Sequence, residues 1–348
     1  MNYEPTIYTI GNLWQKKVYK KMADYLSTIP EIKVFGKSAN GNVYKHLLIL
    51  EQSNFNFITE DIYRLTRERF NHHKAGDLNR VLTNTAASQP YCFNLVIYLQ
   101  LHLSLADKLF SILLEKNVKV QHIEPEFTPN QCVVHGFDRT DDESIGDQMG
   151  KIGTDSDIAV FYTYDNNKKG VLLIEFKFIE SEFSICSSYS EKKKIKSICD
   201  SDNYYFDLIE PIMKNQSNKT LCGYTQYFNW QLTNESSGLD IQNIKCLNAC
   251  PFRFGLNQLW RNMLLSRQVA NARNCNEFGF WVFSPKGNDA YLWKNGTTEK
   301  QFREILTEEG QKYFRVVHLE TILDKLHNLI SKHDELWLSG MEKRYRIS

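Results

Sequence analysis

Two apolar runs between residues 153 and 178 are interrupted by groups that could do chemistry. Asp155 and Asp157 stand at the start of DSDIAVFYTY, and Glu175 and Lys177 stand near the end of GVLLIEFKF. The linking DNNKKG has the Asn, Lys and Gly content of a hairpin connection. A turn centred near 166–168 sets Asp157 roughly opposite Glu175 to Lys177 on an antiparallel ladder. Alternate residues of a strand share a face, so Glu175 lies on the side of Lys177, and Asp155 on the side of Asp157. Opposed side chains are about 5 Å apart, which gathers two carboxylates and an ammonium in one small volume. A hard divalent cation takes such oxygen donors, and Mg²⁺ keeps waters for a substrate. A neighbouring lysine can orient or help deprotonate an attacking water and offset charge on a phosphate. The chemistry this suggests is metal-assisted phosphodiester hydrolysis. The plainer alternative is an edge hairpin with a solvated polar face. Acid-x-Lys also occurs at Glu31-Ile32-Lys33 and Glu191-Lys192-Lys193, away from any convincing hairpin.

The elements that must position these groups are legible in outline. Residues 1–84 read as a mainly helical, basic and aromatic N-terminal region, with a short strand expected at 43–50 (VYKHLLIL). Apolar helical spacing runs through 84–116. From 118 the period changes to short β-branched and aromatic runs, VKVQHIEPEF, QCVVHGFD and the two runs above. A lysine-rich segment and helices near 204–214, 223–232 and 256–272 follow. Two strand-like runs, EFGFWVFSP and AYLWKNG, then lead to helices over 298–346. This order predicts an α/β or α+β layer arrangement around one central sheet, with a core over 85–295 and a helical C-terminal extension over 296–348.

The bulk numbers exclude several classes. With 42 basic and 41 acidic residues the net charge is +1, so any polyanion surface has to be local. The acid-free stretch between Asp240 and Glu277 carries Lys245, Arg253, Arg261, Arg267 and Arg273, and is the candidate phosphate track. On its long helix, Gln258, Arg261 and Asn262 occupy a polar stretch opposite Leu259, Met263 and Val269. The eight cysteines are too sparse for a disulfide scaffold, and Cys246-x3-Cys250 is the nearest approach to a metal-ligand pair. Tyr224, Tyr227 and Trp230 have the spacing of a packing stripe. No HExxH, glycine-rich phosphate loop or GxSxG elbow occurs. The oily run 95–114 is broken by Gln100, His102, Asp107 and Lys108, which suits a buried helix better than a membrane span. With no charged-then-apolar start, the expectation is a cytoplasmic protein with no membrane partner.

Asp157, an apolar strand and then Glu175-Phe176-Lys177 resembles the motif of the PD-(D/E)XK nuclease superfamily. GLNQLWRN (255–262) is similar to its glutamine-bearing helix, and ASQPYCFN (87–94) to a Ser-Gln and Phe-Asn signature of one branch. The resemblance covers roughly 85–295. It implies a restriction-endonuclease-like α/β core, with a central mixed sheet flanked by helices. It implies that Asp157, Glu175 and the Phe176 carbonyl hold Mg²⁺, with Mn²⁺ as a substitute, and that Lys177 positions water. Gln258 would shape the site or touch DNA, and from the acid-free stretch and its polar helix face Arg253, Arg261, Asn262, Arg267 and Arg273 are the residues expected to meet the DNA. Ser156 replaces the usual proline, and Asp155 competes with Asp157, which is preferred because it abuts the rigid strand. Glu115 and Glu124 both suit the further glutamate that often completes such sites. The implied activity is a DNA endonuclease, in restriction or host defence, for which a homodimer would suit double-strand cleavage. The rival expectations are an inactive nucleic-acid-binding module on the same fold, and a structural or partner-binding protein.

Overall fold

The computed structural model describes residues 4–72, 77–129, 134–137, 145, 154–191, 193–214, 222–233 and 237–347. Its centre is a five-stranded sheet in the order β1-β2-β3-β4-β5. The strands are β1 (Val118–Phe127), β2 (Ser156–Tyr164), β3 (Lys168–Phe176), β4 (Glu277–Ser284) and β5 (Phe314–His318). The first three are antiparallel, and β4 and β5 join in parallel, so the sheet is mixed. A parallel neighbour requires a long crossover, and residues 177–276 supply it between β3 and β4.

The β2–β3 hairpin closes with Asp165, Asn166 and Asn167, all at positive φ. Asp and Asn tolerate that region better than other residues with side chains. The turn therefore lies at 165–167, and pairing runs from Tyr164↔Lys168 to Ile158↔Ile174. One further step along this register places Asp157 level with Glu175. Gly170 is required in this ladder, because a Cβ there would come within 2.3 Å of the Tyr162 ring.

Helices cover both faces. One face carries α1 (Leu13–Leu26), α2 (Glu60–His72), α3 (Leu78–Thr83), α4 (Ser88–Leu101) and α5 (Leu103–Leu114). The other carries α6 (Tyr224–Thr233) and α7 (Leu256–Ala272). Returning to the first face, α8 (Leu319–His327) and α9 (Glu335–Tyr345) end the chain. Val160, Leu172, Ile174, Trp281 and Phe283 pack with Trp14, Tyr91, Leu323 and Trp337. Ala159, Phe161, Val171, Leu173 and Val282 pack with Trp230, Leu259, Trp260 and Met263. Central strands buried on both faces read as near-continuous apolar runs, which is why the two polar interruptions stand out.

Several expectations change. VYKHLLIL forms no strand; Val43, Tyr44 and Leu47 make isolated bridges, and Leu50–Asn56 is a 3-10 turn. AYLWKNG is not a strand: Asp289–Leu292 is a helical turn ended by positive φ at Lys294, Asn295 and Gly296. The remaining strand is instead FRVVH, within the segment expected to be all helical. Of QCVVHGFD, residues 134–137 are irregular and the rest lie outside the described residues. The oily run at 95–114 is two helices bent by 112° at His102, and no single described helix is long and apolar enough to cross a membrane. Each of the described cysteines is a free thiol.

Candidate active site

Asp157 and Glu175 meet across the open end of the hairpin, on the face covered by α7. Asp157 Oδ2 accepts the Phe176 amide N–H at 2.6 Å. Glu175, only 3% exposed, accepts the Lys177 ammonium at 2.8 Å and Gln258 Nε2 at 2.7 Å on Oε1. Its Oε2 accepts Asn262 Nδ2 at 2.8 Å. Gln258 and Asn262 are one helical turn apart, so α7 offers two amides to one carboxylate. Gln258 also accepts the Ser184 amide at 2.9 Å, which anchors the chain leaving the site. Phe176 turns its side chain to the opposite face, edge-on to Tyr91 at 5.2 Å.

The electrostatics are those of a crowded acidic centre. Burial, reinforced by the charges of Glu175 and Glu126, pushes the Asp157 carboxyl well above its usual range; Lys177 and the Phe176 N–H pull the other way. Burial works to discharge Lys177, but Glu175, Glu180 and Asp157 outweigh it and raise its pKa. Glu126 is pushed up to about 7 by burial and by Glu175 and Asp155, against the opposing pull of Gln89 and Arg69.

Glu126 is the residue that the sequence reading missed. The ladder pairs Pro125 with Ile158 and Phe127 with Ser156, so Glu126 sits level with Asp157. Its φ is 50°, and its Oε1 accepts Gln89 Nε2 at 2.9 Å. Gln89 belongs to the ASQPYCFN stretch, and an acid at the free end of β1 was the other available signal. The two glutamates expected there are committed elsewhere. Glu124 bonds Arg69 at 3.2 Å and His122 at 2.8 Å. Glu115 caps α5 and pairs with Arg315 at 3.2 Å. Asp155 is exposed just before β2.

A sequence family described as restriction endonuclease associating with ARP matches residues 33–346. The chain belongs to this family. No curated protein and no solved structure matches it. The mixed sheet flanked by helices is the restriction-endonuclease-like fold, and the family's description is of a nuclease-type role.

In this restriction-endonuclease family member the expected DNA-contacting residues separate. Arg273 is 1% exposed and spends its guanidinium on the carbonyls of Phe137 (2.9 Å) and Pro129 (3.3 Å), so it is a structural arginine. Asn262, also 1% exposed, holds Glu175 and does not face solvent. Asn262 turns inward because the polar stripe of α7 faces the buried acid, and Arg273, just past the end of α7, because loop carbonyls take its guanidinium. Arg253 lies over the Phe254 ring at 5.0 Å and pairs with Asp200 at 3.2 Å. Arg261 bonds Thr154 at 2.8 Å, and Arg267 lies over Phe278 at 5.3 Å.

The donor set fits a hard cation. Asp157 and Glu175 face each other at the open end of the hairpin and Glu126 is level with Asp157, so three carboxylates act on one another electrostatically, with Lys177 as the charge that offsets them. Oxygen-only donors suit Mg²⁺ or Mn²⁺ and not a thiophilic metal.

Proposed function

We propose that this chain is a metal-dependent nuclease that hydrolyses phosphodiester bonds in DNA. The observation that carries this reading is Asp157, Glu175 and Lys177 gathered around the Phe176 backbone, where the acids outnumber the ammonium. Asp157, Glu175 and the Phe176 carbonyl would hold Mg²⁺ or Mn²⁺, with Glu126 beside them. Bound there, the ion supplies Lewis acidity toward the phosphate and a more acidic water. The protein's own part is positional. Glu175 fixes the Lys177 ammonium, which can orient a water and neutralise charge growing on phosphate. Gln258 and Asn262 keep Glu175 from rotating away.

A cleft of about 370 Å³ opens beside the site, with Glu182, Phe183, Arg253, Phe254, Gly255 and Lys294 in its lining. Phe183 lies 5.9 Å from the Lys177 ammonium. Phe254 is 50% exposed, so the cleft combines cations for phosphates with an aromatic face for a base. The family's description supports a restriction role in host defence, and its words name ARP as an associate.

The test is incubation with plasmid and with single-stranded DNA, in Mg²⁺, Mn²⁺ or EDTA. Cleavage is expected with either metal and not in EDTA. Asp157→Asn and Lys177→Ala should each reduce it by about 10²–10³-fold, with circular dichroism confirming that both variants fold. Metal-dependent cleavage that survives either substitution sinks the assignment. Binding without cleavage, unchanged in both variants, would identify a nucleic-acid-binding module instead.

A further inference from the structure

A second constellation stands at the other end of α4, about 20 Å from Gln89 at 1.5 Å per helical residue. His102 occupies the break between α4 and α5, and its ring stacks on Tyr98 at 4.2 Å. His333 and Asp334 close the turn that opens α9. One ligating atom from each of His102, His333 and Asp334 lies within 4.8 Å of the other two. Among the described residues no other three His, Cys, Asp or Glu converge this closely.

The carboxylate is already fixed. Asp334 is 7% exposed. Its Oδ1 accepts the Tyr98 hydroxyl at 2.8 Å, and its Oδ2 accepts the Ser331 N–H at 2.9 Å and hydroxyl at 2.7 Å. Tyr98 is itself clamped face to face with Trp337 at 3.9 Å. Oδ1 thus retains a lone pair, held by groups that are themselves rigid. The two imidazoles approach it and each other, their ring centroids 5.8 Å apart, and His333 is exposed.

We propose that His102, His333 and Asp334 form a Zn²⁺ site that ties the α4–α5 break to the α8–α9 turn. Two imidazoles and a carboxylate with water in the fourth position is an ordinary zinc donor set. Tetrahedral bonds of about 2.0 Å put ligand atoms roughly 3.3 Å apart, so a closure of at most about 1.5 Å from the present arrangement is needed, and the exposed His333 can supply part of it. Tyr98 and Ser331 are the outer partners that orient a ligating carboxylate. This site is independent of the nuclease reading, since its donors include nitrogen and no residue is shared.

The experiment uses the full chain stripped with EDTA and titrated with Co²⁺, whose tetrahedral complexes absorb in the visible, and then with Zn²⁺. One equivalent of Co²⁺ with a tetrahedral spectrum, displaced by Zn²⁺, is expected in the wild type and in Asp157→Asn. His102→Ala and His333→Ala should each weaken binding by about 100-fold or more and lose the Zn²⁺-dependent rise in melting temperature. Circular dichroism would show both variants folded, His333→Ala being the safer because the side chain is exposed. The proposal is overturned if the wild type gives no tetrahedral spectrum, or if His333→Ala binds as the wild type does. It is equally overturned if Asp157→Asn loses the bound ion, which would place the ion among the active-site acids.

Discussion

Glu175 accepts from Lys177, Gln258 and Asn262 while nearly fully buried, and its position governs the site. A buried carboxylate is tolerable only when its lone pairs are matched by donors. The two amides of α7 do that without neutralising it, so the charge stays available to a cation. Removing one should let the carboxylate rotate and should raise the Mg²⁺ concentration needed for cleavage. Gln258→Ala and Asn262→Ala are each expected to lower metal affinity or cleavage by about 10–100-fold. Single-turnover cleavage across a Mg²⁺ titration separates the two effects. Asn262→Ala should also lower stability by about 1–3 kcal/mol, because the amide is buried. If both variants cleave as the wild type does, the strand alone holds Glu175.

At the scale of elements, the N-terminal segment is tied to the start of α4 through His46. The His46 carbonyl accepts the Thr85 hydroxyl at 2.7 Å and its N–H at 3.3 Å. The imidazole, 5% exposed, sits among the rings of Tyr8, Tyr19 and Tyr44. Burial lowers its pKa from 6.5 to about 4. Below the unfolded value the unfolded chain takes up a proton that the folded chain refuses. The stabilising contribution is therefore complete above 6.5 and is lost as pH falls toward 4. Between pH about 7 and about 5 this amounts to about 2 kcal/mol. Urea midpoints at the two pH values should show that loss in the wild type and a flatter dependence in His46→Gln. An equal slope in both would remove His46 as the cause.

For the whole molecule, the terminal helices belong to the core that the central sheet needs. Tyr345 stacks on Tyr91 at 3.8 Å, Trp337 donates to the Asn94 carbonyl at 2.9 Å, and Arg344 donates to the Asn56 carbonyl at 2.6 Å. From the N-terminus, Trp14 donates to the Phe178 carbonyl at 2.7 Å, bracing the chain just past Lys177. Loss of one large buried aromatic costs about 3–5 kcal/mol, against a whole-domain stability of about 5–15 kcal/mol. A fragment of residues 85–295, the span of the motif resemblance, lacks several such groups together. It is expected to show no cooperative melt by circular dichroism and rapid proteolysis. A sharp transition in that fragment would show that the core stands alone.

The amino-acid sequence by itself determined the β2–β3 hairpin, the pairing of Asp157 with Glu175 and Lys177, and the amphipathic helix bearing Gln258. Each depends on local periodicity and a tight turn, which act over a few residues. Tertiary structure alone decided the rest. Glu126 joins the acids because β1 pairs with β2 in one register and Glu126 itself adopts a left-handed backbone, which no spacing announces. Asn262 and Arg273 turned inward because periodicity fixes which residues share a face, but not which layer covers that face. The same limit hid β5 and the burial of the terminal helices, since a short apolar run becomes strand or helix according to the neighbours that satisfy its backbone and cover its side chains.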